Sequence, residues 1–225
     1  KEIKNNSDGI IITHGTDTMS YTSAALSFML QNSPIPIILV GSQRSSDRPS
    51  SDSFLNLVCA ANFIINSNFS GIAVCMHANI QDDYCYMHSG VRVRKLHTSR
   101  RDAFKSINTD PIAKVWKNKI EIIRKDYSVK DKKRKLISKI CFNKNISILK
   151  SRPGLTSKEV NFFKKYEGIV LEGTGLGHFP INVIDAYTKE HKKILDSIKW
   201  LCKKSIVVMA SQTIFGRVNM NVYST

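Results

Sequence analysis

The stretch from Asp8 to Leu30 constrains the fold most, because an apolar run, a polar turn and a helical repeat follow one another directly. The apolar run, residues 9–12, is rich in β-branched side chains and bounded by turn formers, so it predicts a buried strand of a parallel sheet. Apolar side chains then recur with the period of an amphipathic helix, at Tyr21, Ala25, Phe28 and Met29. The stretch therefore predicts a strand–loop–helix unit of an α/β fold.

The polar turn from His14 to Thr18 is expected at the carboxyl end of that strand, where open α/β sheets place their ligands. Gly15 lets the backbone turn sharply. Thr16 and Asp17 then face a crevice near a helix N-terminus, where backbone N–H groups are free. Two interpretations stay open: the two side chains cap the helix, or they attack and orient an amide substrate.

A second unit of the same kind follows. Residues 35–40 predict a strand, and the loop over residues 41–52 is wholly polar and long enough to indicate either disorder or a functional role. Ser51 or Asp52 is expected to cap the next helix. The apolar positions predicted for that helix are Phe54, Leu57, Val58, Ala61 and Ile64.

The segment from Gly90 to Thr98 alternates in polarity, as a strand does. Val91 and Val93 point to one side, and Lys95 falls on the same side as these valines. Burial of a lysine is costly unless it is paired, and in general it lowers the pKa of an amine toward neutrality, where the amine can serve as a general base. The alternative is an irregular strand end with Lys95 in solvent.

The second half of the chain repeats the α/β alternation, with strands predicted over residues 146–149, 168–171 and 205–210. A helix is expected to begin at Thr156 or Ser157. The glycines of residues 173–177 do not match the spacing of a dinucleotide site, so they predict a tight turn. A long helix is predicted from the apolar stripe Ile184, Tyr187, Ile194, Leu195, Ile198 and Leu201.

Charge and composition bound the organisation of the chain. The net charge of +16 favours acidic partners, nucleic acid among them. Residues 125–144 are dominated by basic side chains and predict a linker. This divides the chain into an N-terminal α/β domain over residues 1–124, with a parallel sheet, and a smaller α/β domain over residues 145–225.

Cysteine and histidine usage predicts neither disulfides nor a metal. The five cysteines are dispersed without a C-x-x-C pair, which indicates reduced, mostly buried thiols in a cytoplasmic protein. His77, Cys85 and His88 lack the second ligand pair of a structural zinc site, so no metal is expected. No apolar run is long enough to cross a bilayer, so no membrane association is expected either.

Several motifs together resemble the asparaginase/glutaminase family of amidohydrolases: THGTDTM after an apolar strand, Lys95 within VRVRKLHTSRRDAF, and EGTGLGH in the second half. Three further segments are most similar to the glutaminase subunits of archaeal tRNA-dependent amidotransferases, namely GSQRSSDRPSSDSFLNL, SRRDAFKSINT and SQTIFGRVNMNVYST. The resemblance covers nearly the whole chain and is weakest over residues 125–139.

The resemblance implies an asparaginase-like pair of α/β domains and a role in glutamine hydrolysis. Ammonia from L-glutamine would pass to a kinase-like partner, the E subunit of the amidotransferase, which uses ATP and Mg²⁺ to amidate Glu-tRNA(Gln). The resemblance further implies no cofactor in this chain and a homodimer within a heterotetramer. Two alternatives remain: a free-standing cytoplasmic L-asparaginase, and a basic nucleic-acid-binding module that has lost catalysis.

Matching motifs imply the roles of particular residues. Thr16, activated by Lys95, would be the nucleophile or the activator of a water molecule, and Asp17 would hold the α-amino group of the substrate. This agrees with the nucleophile, base and orienting group that the loop and strand supply on their own. The positions implied to bind substrate are Gly15, Ser42 and Gln43.

One departure from the family pattern concerns the start of the chain. The family carries another catalytic threonine in a T-G-G-T type segment and a small N-terminal barrel, and neither occurs from Lys1 onward. We therefore expect an N-terminally truncated chain with an incomplete site and little glutaminase activity by itself.

Overall fold

The computed structural model describes residue 3 and residues 7–222; Lys1 and the last three residues of the NVYST motif lie outside the described residues. The chain divides into two compact units, Lys1–Cys141 and Phe142–Thr225. The boundary falls within residues 125–144, for which a linker is predicted, and the part of this basic segment before Phe142 hydrogen-bonds to the first unit. The backbone N–H of Lys139, for example, donates to the carbonyl oxygen of Met29 at 2.8 Å.

In its described part, the first unit contains two α-helices and ten strands. The helices are α1 (Met19–Met29) and α2 (Ser53–Asn66). The strands are β1 (Ile10–Thr13), β2 (Leu30–Gln31), β3 (Pro36–Val40), β4 (Gly71–His77), β5 (Cys85–Ser89), β6 (Val93–Lys95), β7 (Phe104–Ser106), β8 (Ala113–Val115), β9 (Ile120–Ile122) and β10 (Ile137–Ser138).

The main sheet of this unit has the order β1-β3-β4-β5-β8-β9 in the part of the chain that the structure describes. β1, β3 and β4 run parallel, whereas β5, β8 and β9 join antiparallel. The predicted parallel sheet is therefore one half of a mixed sheet. β1 lies at its edge and is half-buried rather than buried. The pairs β6–β7 and β2–β10 form two small antiparallel ribbons.

β3 lies at the centre of the core because both of its faces are apolar. Ile38 packs in a cluster with Phe63 of α2, on one side of the sheet. Leu39 packs in a second cluster with Met19 of α1, on the other side. The continuous apolar run that predicted this strand is thus explained by burial on two sides.

The predicted buried faces of both helices are mostly wrong. Tyr21 and Phe28 of α1 are exposed, while Met19 and Ser23 face the core. Ser23 fits there because its hydroxyl donates to the carbonyl oxygen of Gly90 at 2.8 Å. In α2 the predicted Phe54 and Leu57 are exposed, and the buried residues are Leu55, Asn56, Cys59, Ala60, Asn62, Phe63 and Ile64.

The second unit is a smaller α/β unit built on a parallel sheet of three strands in the described residues. Its elements are β11 (Ile146–Lys150), α3 (Ser157–Phe162), β12 (Gly168–Gly173), α4 (Glu190–Lys204) and β13 (Ile206–Ser211). Thr156 caps α3 as predicted, in a capping box with Glu159. The tight turn after β12 is also confirmed, since a Cβ on Gly173 would lie 2.6 Å from the backbone of Gly177.

The long helix of this unit begins later than its apolar stripe predicts. Ile184 and Tyr187 precede α4 and are almost fully exposed. The side chain of Asp185 accepts hydrogen bonds from the backbone N–H groups of Tyr187 and Thr188, which closes a separate 3₁₀ turn there. A local cap therefore overrides the helical period at this position.

Two general expectations can be compared with the fold. Cys59, Cys75 and Cys85 are buried free thiols, whereas Cys141 and Cys202 are exposed. Within the described ranges, no helix combines the length and the apolar character that a bilayer crossing requires.

The packing of α2 predicts the effect of truncating its central aromatic side chain. Phe63 is fully buried and its ring lies 5.5 Å from that of Phe69. We expect Phe63→Ala to lower the free energy of unfolding by about 3–5 kcal/mol, because it leaves a cavity. Urea denaturation followed by circular dichroism measures this. The control is Ile65→Ala on the exposed face of α2, which should change stability by less than about 0.5 kcal/mol; equal losses would contradict the assigned face.

Candidate functional site

The site begins where β1 and β3 end side by side. Thr13 is in register with Val40, and the backbone N–H of His14 donates to the carbonyl oxygen of Val40 at 2.8 Å. The backbones approach closely here, since a Cβ on Gly41 would lie 2.6 Å from the carbonyl oxygen of His14. The loops of residues 14–18 and 41–52 therefore start as neighbours.

Lys95 of β6 reaches both polar residues of the first loop. Its Nζ donates to Oγ1 of Thr16 at 2.9 Å and to Oδ1 of Asp17 at 2.7 Å. The Lys95 side chain is only 14% exposed, so it does not lie in solvent. The hydrogen bond from Lys95, together with its charge, lowers the pKa of the Asp17 carboxyl below the usual value. A hydroxyl, a carboxylate and an amine thus converge.

The capping interpretation of Thr16 and Asp17 is wrong. The N-cap of α1 is Thr18, and no side chain accepts a capping hydrogen bond there. Asp17 turns toward Lys95 instead, and its carboxylate is largely exposed. The turn is held by His14, whose Nδ1 donates to the carbonyl oxygen of Gly15 at 2.6 Å.

Gln43 of the second loop contacts the same hydroxyl. Oγ1 of Thr16 donates to Oε1 of Gln43 at 2.9 Å. The other end of this amide, Nε2, is buried and has no hydrogen-bond partner in the described structure. Thr16 therefore accepts a hydrogen bond from Lys95 and donates one to Gln43.

Asp52 does not cap α2, contrary to one of the two predictions for that helix. Its carboxylate points back into the loop and accepts hydrogen bonds from the backbone N–H groups of Gln43 and Arg44. Ser51 was the other candidate, and its Oγ accepts the N–H of Ser53. Sequence reasoning missed this inward role. The available signal was Asn56, one helical turn after Asp52 and bonded to it.

The residues on either side of Thr16 line two different cavities. The three expected substrate-binding residues do not all line the same one. Asp17, Tyr21 and Lys95 line a cavity of about 560 Å³. Gly15 and Ser42 line a second cavity of about 410 Å³, which also contains other hydroxyl side chains. Gln43 lines neither cavity and contacts Thr16 instead. The first cavity offers charge and an apolar wall, and the second offers neutral polar groups.

The histidines considered as metal ligands have other partners. The Nδ1 of His77 contacts Oδ1 of Asn56 at 2.6 Å, and its Nε2 contacts Asp82 at 3.1 Å. The hydrogen bond with His77 lowers the pKa of the Asp82 carboxyl. His88 contacts the hydroxyl of Ser106 at 2.8 Å. In the described part of the chain, no group of three or more His, Cys, Asp or Glu side chains is arranged to hold a metal ion.

Comparison with protein families gives two matches that together cover most of the chain. The family described as "Asparaginase, N-terminal" matches residues 1–128. The family described as "Glutaminase/Asparaginase C-terminal domain" matches residues 145–225. The unmatched residues between them fall within the basic segment.

Curated relatives are similar over the full length of this chain. The D subunit of the glutamyl-tRNA(Gln) amidotransferase of Thermococcus kodakarensis is 48% identical over 228 residues, which cover 100% of this chain and 49% of that protein. The corresponding D subunit of Methanosphaera stadtmanae is 46% identical with the same coverage. The chain thus spans about half the length of the curated relatives it matches.

Solved structures show the same fold. The thermostable L-asparaginase from Thermococcus kodakarensis superposes with a TM-score of 0.86 at 32% identity, covering 99% of this chain and 62% of the other. L-asparaginase I from Vibrio cholerae superposes with a TM-score of 0.84 at 27% identity, covering 100% of this chain and 63% of the other.

The buried His88 predicts how stability depends on pH. Burial lowers the pKa of His88 in the folded chain to about 3, whereas its pKa in the unfolded chain is about 6.5. Between these two pH values the unfolded chain binds a proton at His88 and the folded chain does not. Stability should therefore fall as the pH drops from about 6.5 toward 3. Replacing His88 by Asn should flatten this fall in thermal melts recorded between pH 7 and 5, whereas Ile65→Ala, which removes no titratable group, should keep the wild-type slope. An unchanged slope in His88→Asn would count against the assignment.

Proposed function

The chain belongs to the asparaginase/glutaminase family of amidohydrolases, and from that membership we propose that the complete protein hydrolyses glutamine. The ammonia would serve the tRNA-dependent conversion of Glu-tRNA(Gln) into Gln-tRNA(Gln). The observation that carries this proposal is the contact of Lys95 with both Thr16 and Asp17, at 2.9 and 2.7 Å. The names of the curated relatives support the choice of substrate and pathway.

The three groups can divide the chemistry among them. Asp17 holds the α-ammonium group of glutamine, since its carboxylate is exposed and charged. Thr16 attacks the carboxamide carbon, or directs a water molecule to it. Lys95 first passes one proton to solvent, then takes the proton of the attacking group and delivers it to the departing NH₂, which leaves as ammonia. Where Thr16 is the nucleophile, a water molecule then hydrolyses the ester on its oxygen and releases glutamate.

Substrate binding would also change the partners of Lys95. In the structure the amine donates to both Thr16 and Asp17. The ammonium group of a bound substrate would compete for the same carboxylate, which leaves the amine to the threonine hydroxyl. Positioning the substrate and freeing the base are therefore linked through Asp17.

The curated relatives are named as D subunits, which supports a partner for this reaction. We propose that the kinase-like E subunit of the amidotransferase activates Glu-tRNA(Gln) with ATP and Mg²⁺, in a cytoplasmic heterotetramer that contains a homodimer of this chain. Hydroxyl, amine and carboxylate suffice for amide hydrolysis, so this chain is proposed to use no cofactor. Because it spans about half the length of the curated relatives, residues 1–225 alone should release little ammonia.

Two observations favour other functions. The superposition on L-asparaginases supports a free-standing asparaginase. The exposed Lys133 and Lys135 of the basic segment support a nucleic-acid-binding module without catalysis. In the second case, Thr16 and Lys95 would be dispensable for amidation of Glu-tRNA(Gln) by the assembled complex.

We predict that Lys95→Met abolishes ammonia release by the complete protein while the fold is kept. Loss of a general base costs about 100- to 10,000-fold in rate, and methionine retains the length of the side chain. The control is Lys114→Met on β8, away from the site, which removes an amine paired with Glu121 of β9. Ammonia release and circular dichroism are measured for both. Full activity in Lys95→Met, or loss of its folded spectrum, would refute the proposed role.

We also predict that the complete protein prefers glutamine to asparagine. Its ammonia release should rise when the partner, ATP and Glu-tRNA(Gln) are added, and residues 1–225 tested in parallel should be nearly inactive. Efficient hydrolysis of asparagine, at a rate that does not change when the partner and tRNA are added, would establish the asparaginase alternative instead. Amidation that survives Thr16→Ala would establish the nucleic-acid-binding alternative.

A further inference from the structure

We propose that Asp52 is a positioning residue for this reaction: it clamps the loop of residues 41–52 so that Gln43 holds the hydroxyl of Thr16. The inference rests on the proposed amide hydrolysis for its kinetic consequences. The clamp itself depends only on hydrogen bonds that Asp52 and Asn56 make with the loop of residues 41–52 and with each other.

Asp52 is a fully buried carboxylate whose hydrogen bonds all lead to the loop and its support. Its Oδ1 accepts the backbone N–H of Arg44 at 2.9 Å, and both oxygens lie 3.0 Å from the backbone N of Gln43. A buried carboxylate requires such donors, because leaving it unpaired is costly. The carboxylate therefore fixes the backbone at Gln43.

Asn56 extends the clamp to the start of the loop. Its Nδ2 donates to the carbonyl oxygen of Gly41 at 2.9 Å and to Oδ2 of Asp52 at 3.1 Å. The carbonyl oxygen of Gly41 and the carboxylate of Asp52 can only accept, so they fix Nδ2 as the donating end of the amide, and Oδ1 lies 2.6 Å from Nδ1 of His77. The loop is thus tied to α2 at Gly41, Gln43 and Arg44.

The side chain of Gln43 depends on this clamp because little else holds it. Its Oε1 accepts a hydrogen bond from the hydroxyl of Thr16, and its Nε2 is buried without a partner in the described residues. No second hydrogen bond fixes the amide, so the backbone at Gln43 determines where Oε1 lies. A shift of that backbone moves the acceptor away from the hydroxyl.

Placing this acceptor matters for the chemistry of Thr16. In the structure its oxygen receives a hydrogen bond from Lys95 and gives one to Gln43, and these two contacts fix where Oγ1 lies. Once Lys95 has lost a proton, the O–H turns toward its Nζ from this fixed position. A misplacement of about 1 Å can cost about 100-fold in rate. Asp52 touches neither Thr16 nor Lys95, so it acts through Gln43.

The test compares Asp52→Asn with Asp47→Asn in the complete protein. Asparagine is nearly isosteric but is uncharged and keeps only one acceptor oxygen, so its NH₂ group faces either the backbone N–H groups or Nδ2 of Asn56. Asp47 is an exposed carboxylate of the same loop. We expect kcat for ammonia release to fall about 10- to 100-fold in Asp52→Asn, with a smaller change in KM. Asp47→Asn should retain wild-type rates. Equal rates in the two variants would overturn the proposal.

A double-mutant cycle separates positioning from general stability. If Asp52 acts through Gln43, then Asp52→Asn should lower kcat far less in a Gln43→Ala background than in the wild type. Independent, multiplying losses would overturn the proposal. The cycle needs only the conservative Asp52→Asn variant, so it does not depend on whether the more disruptive Asp52→Ala folds.

Hydrogen exchange measured by mass spectrometry provides a readout without activity. The amides of Gln43 and Arg44 should exchange faster in Asp52→Asn and at the wild-type rate in Asp47→Asn. Unchanged exchange would refute the clamp even if the enzyme is active. If the wild type releases no ammonia but exchange responds as expected, the proposed function fails while the clamp stands.

Discussion

The parallel pairing of β1 with β3 is the constraint on which the candidate site depends. The two strands are in register up to Thr13 and Val40, so both loops leave the sheet at one level. A shift of one residue would turn the side chains of β1 to the opposite face. The contact of Gly41 with the backbone at His14 allows no side chain between the two loops. The positions of Thr16 and Gln43 follow from this pairing.

Lys95 completes the site from outside the main sheet. It lies at the end of β6, which pairs only with β7 in a small ribbon of the described chain, and it is 79 residues from Thr16 in sequence. The alternation correctly places Lys95 on the side of Val93, which is buried, but it fails for Val91, which precedes β6 and is exposed. That pattern cannot reveal the partner, since the partner is determined by how the ribbon packs against α1.

The strands were more predictable than the helix faces, for a physical reason. The continuous apolar run of residues 35–40 indicates β3 directly. In α1 and α2, apolar residues occur around the whole circumference, while the buried faces include Ser23, Asn56 and Asn62. Each of these has a hydrogen-bond partner in the core, such as the carbonyl oxygen of Trp116 for Asn62. Hydrophobic periodicity therefore selected the wrong stripe in both helices.

A polar residue on the buried face of α2, where hydrophobic periodicity does not predict one, also holds the loop of the candidate site. Asn56 occupies a core position at which an apolar residue would pack more simply, and it tethers the loop that carries Gln43. Gln43 in turn leaves its buried NH₂ group without a partner in the described structure, which costs about 1–3 kcal/mol. Sequences break local rules mainly at functional sites, where another requirement outweighs the stability lost. Here that requirement is a fixed hydrogen-bond acceptor for the hydroxyl of Thr16. A second partner for Nε2 of Gln43 would have to lie beside the reacting group.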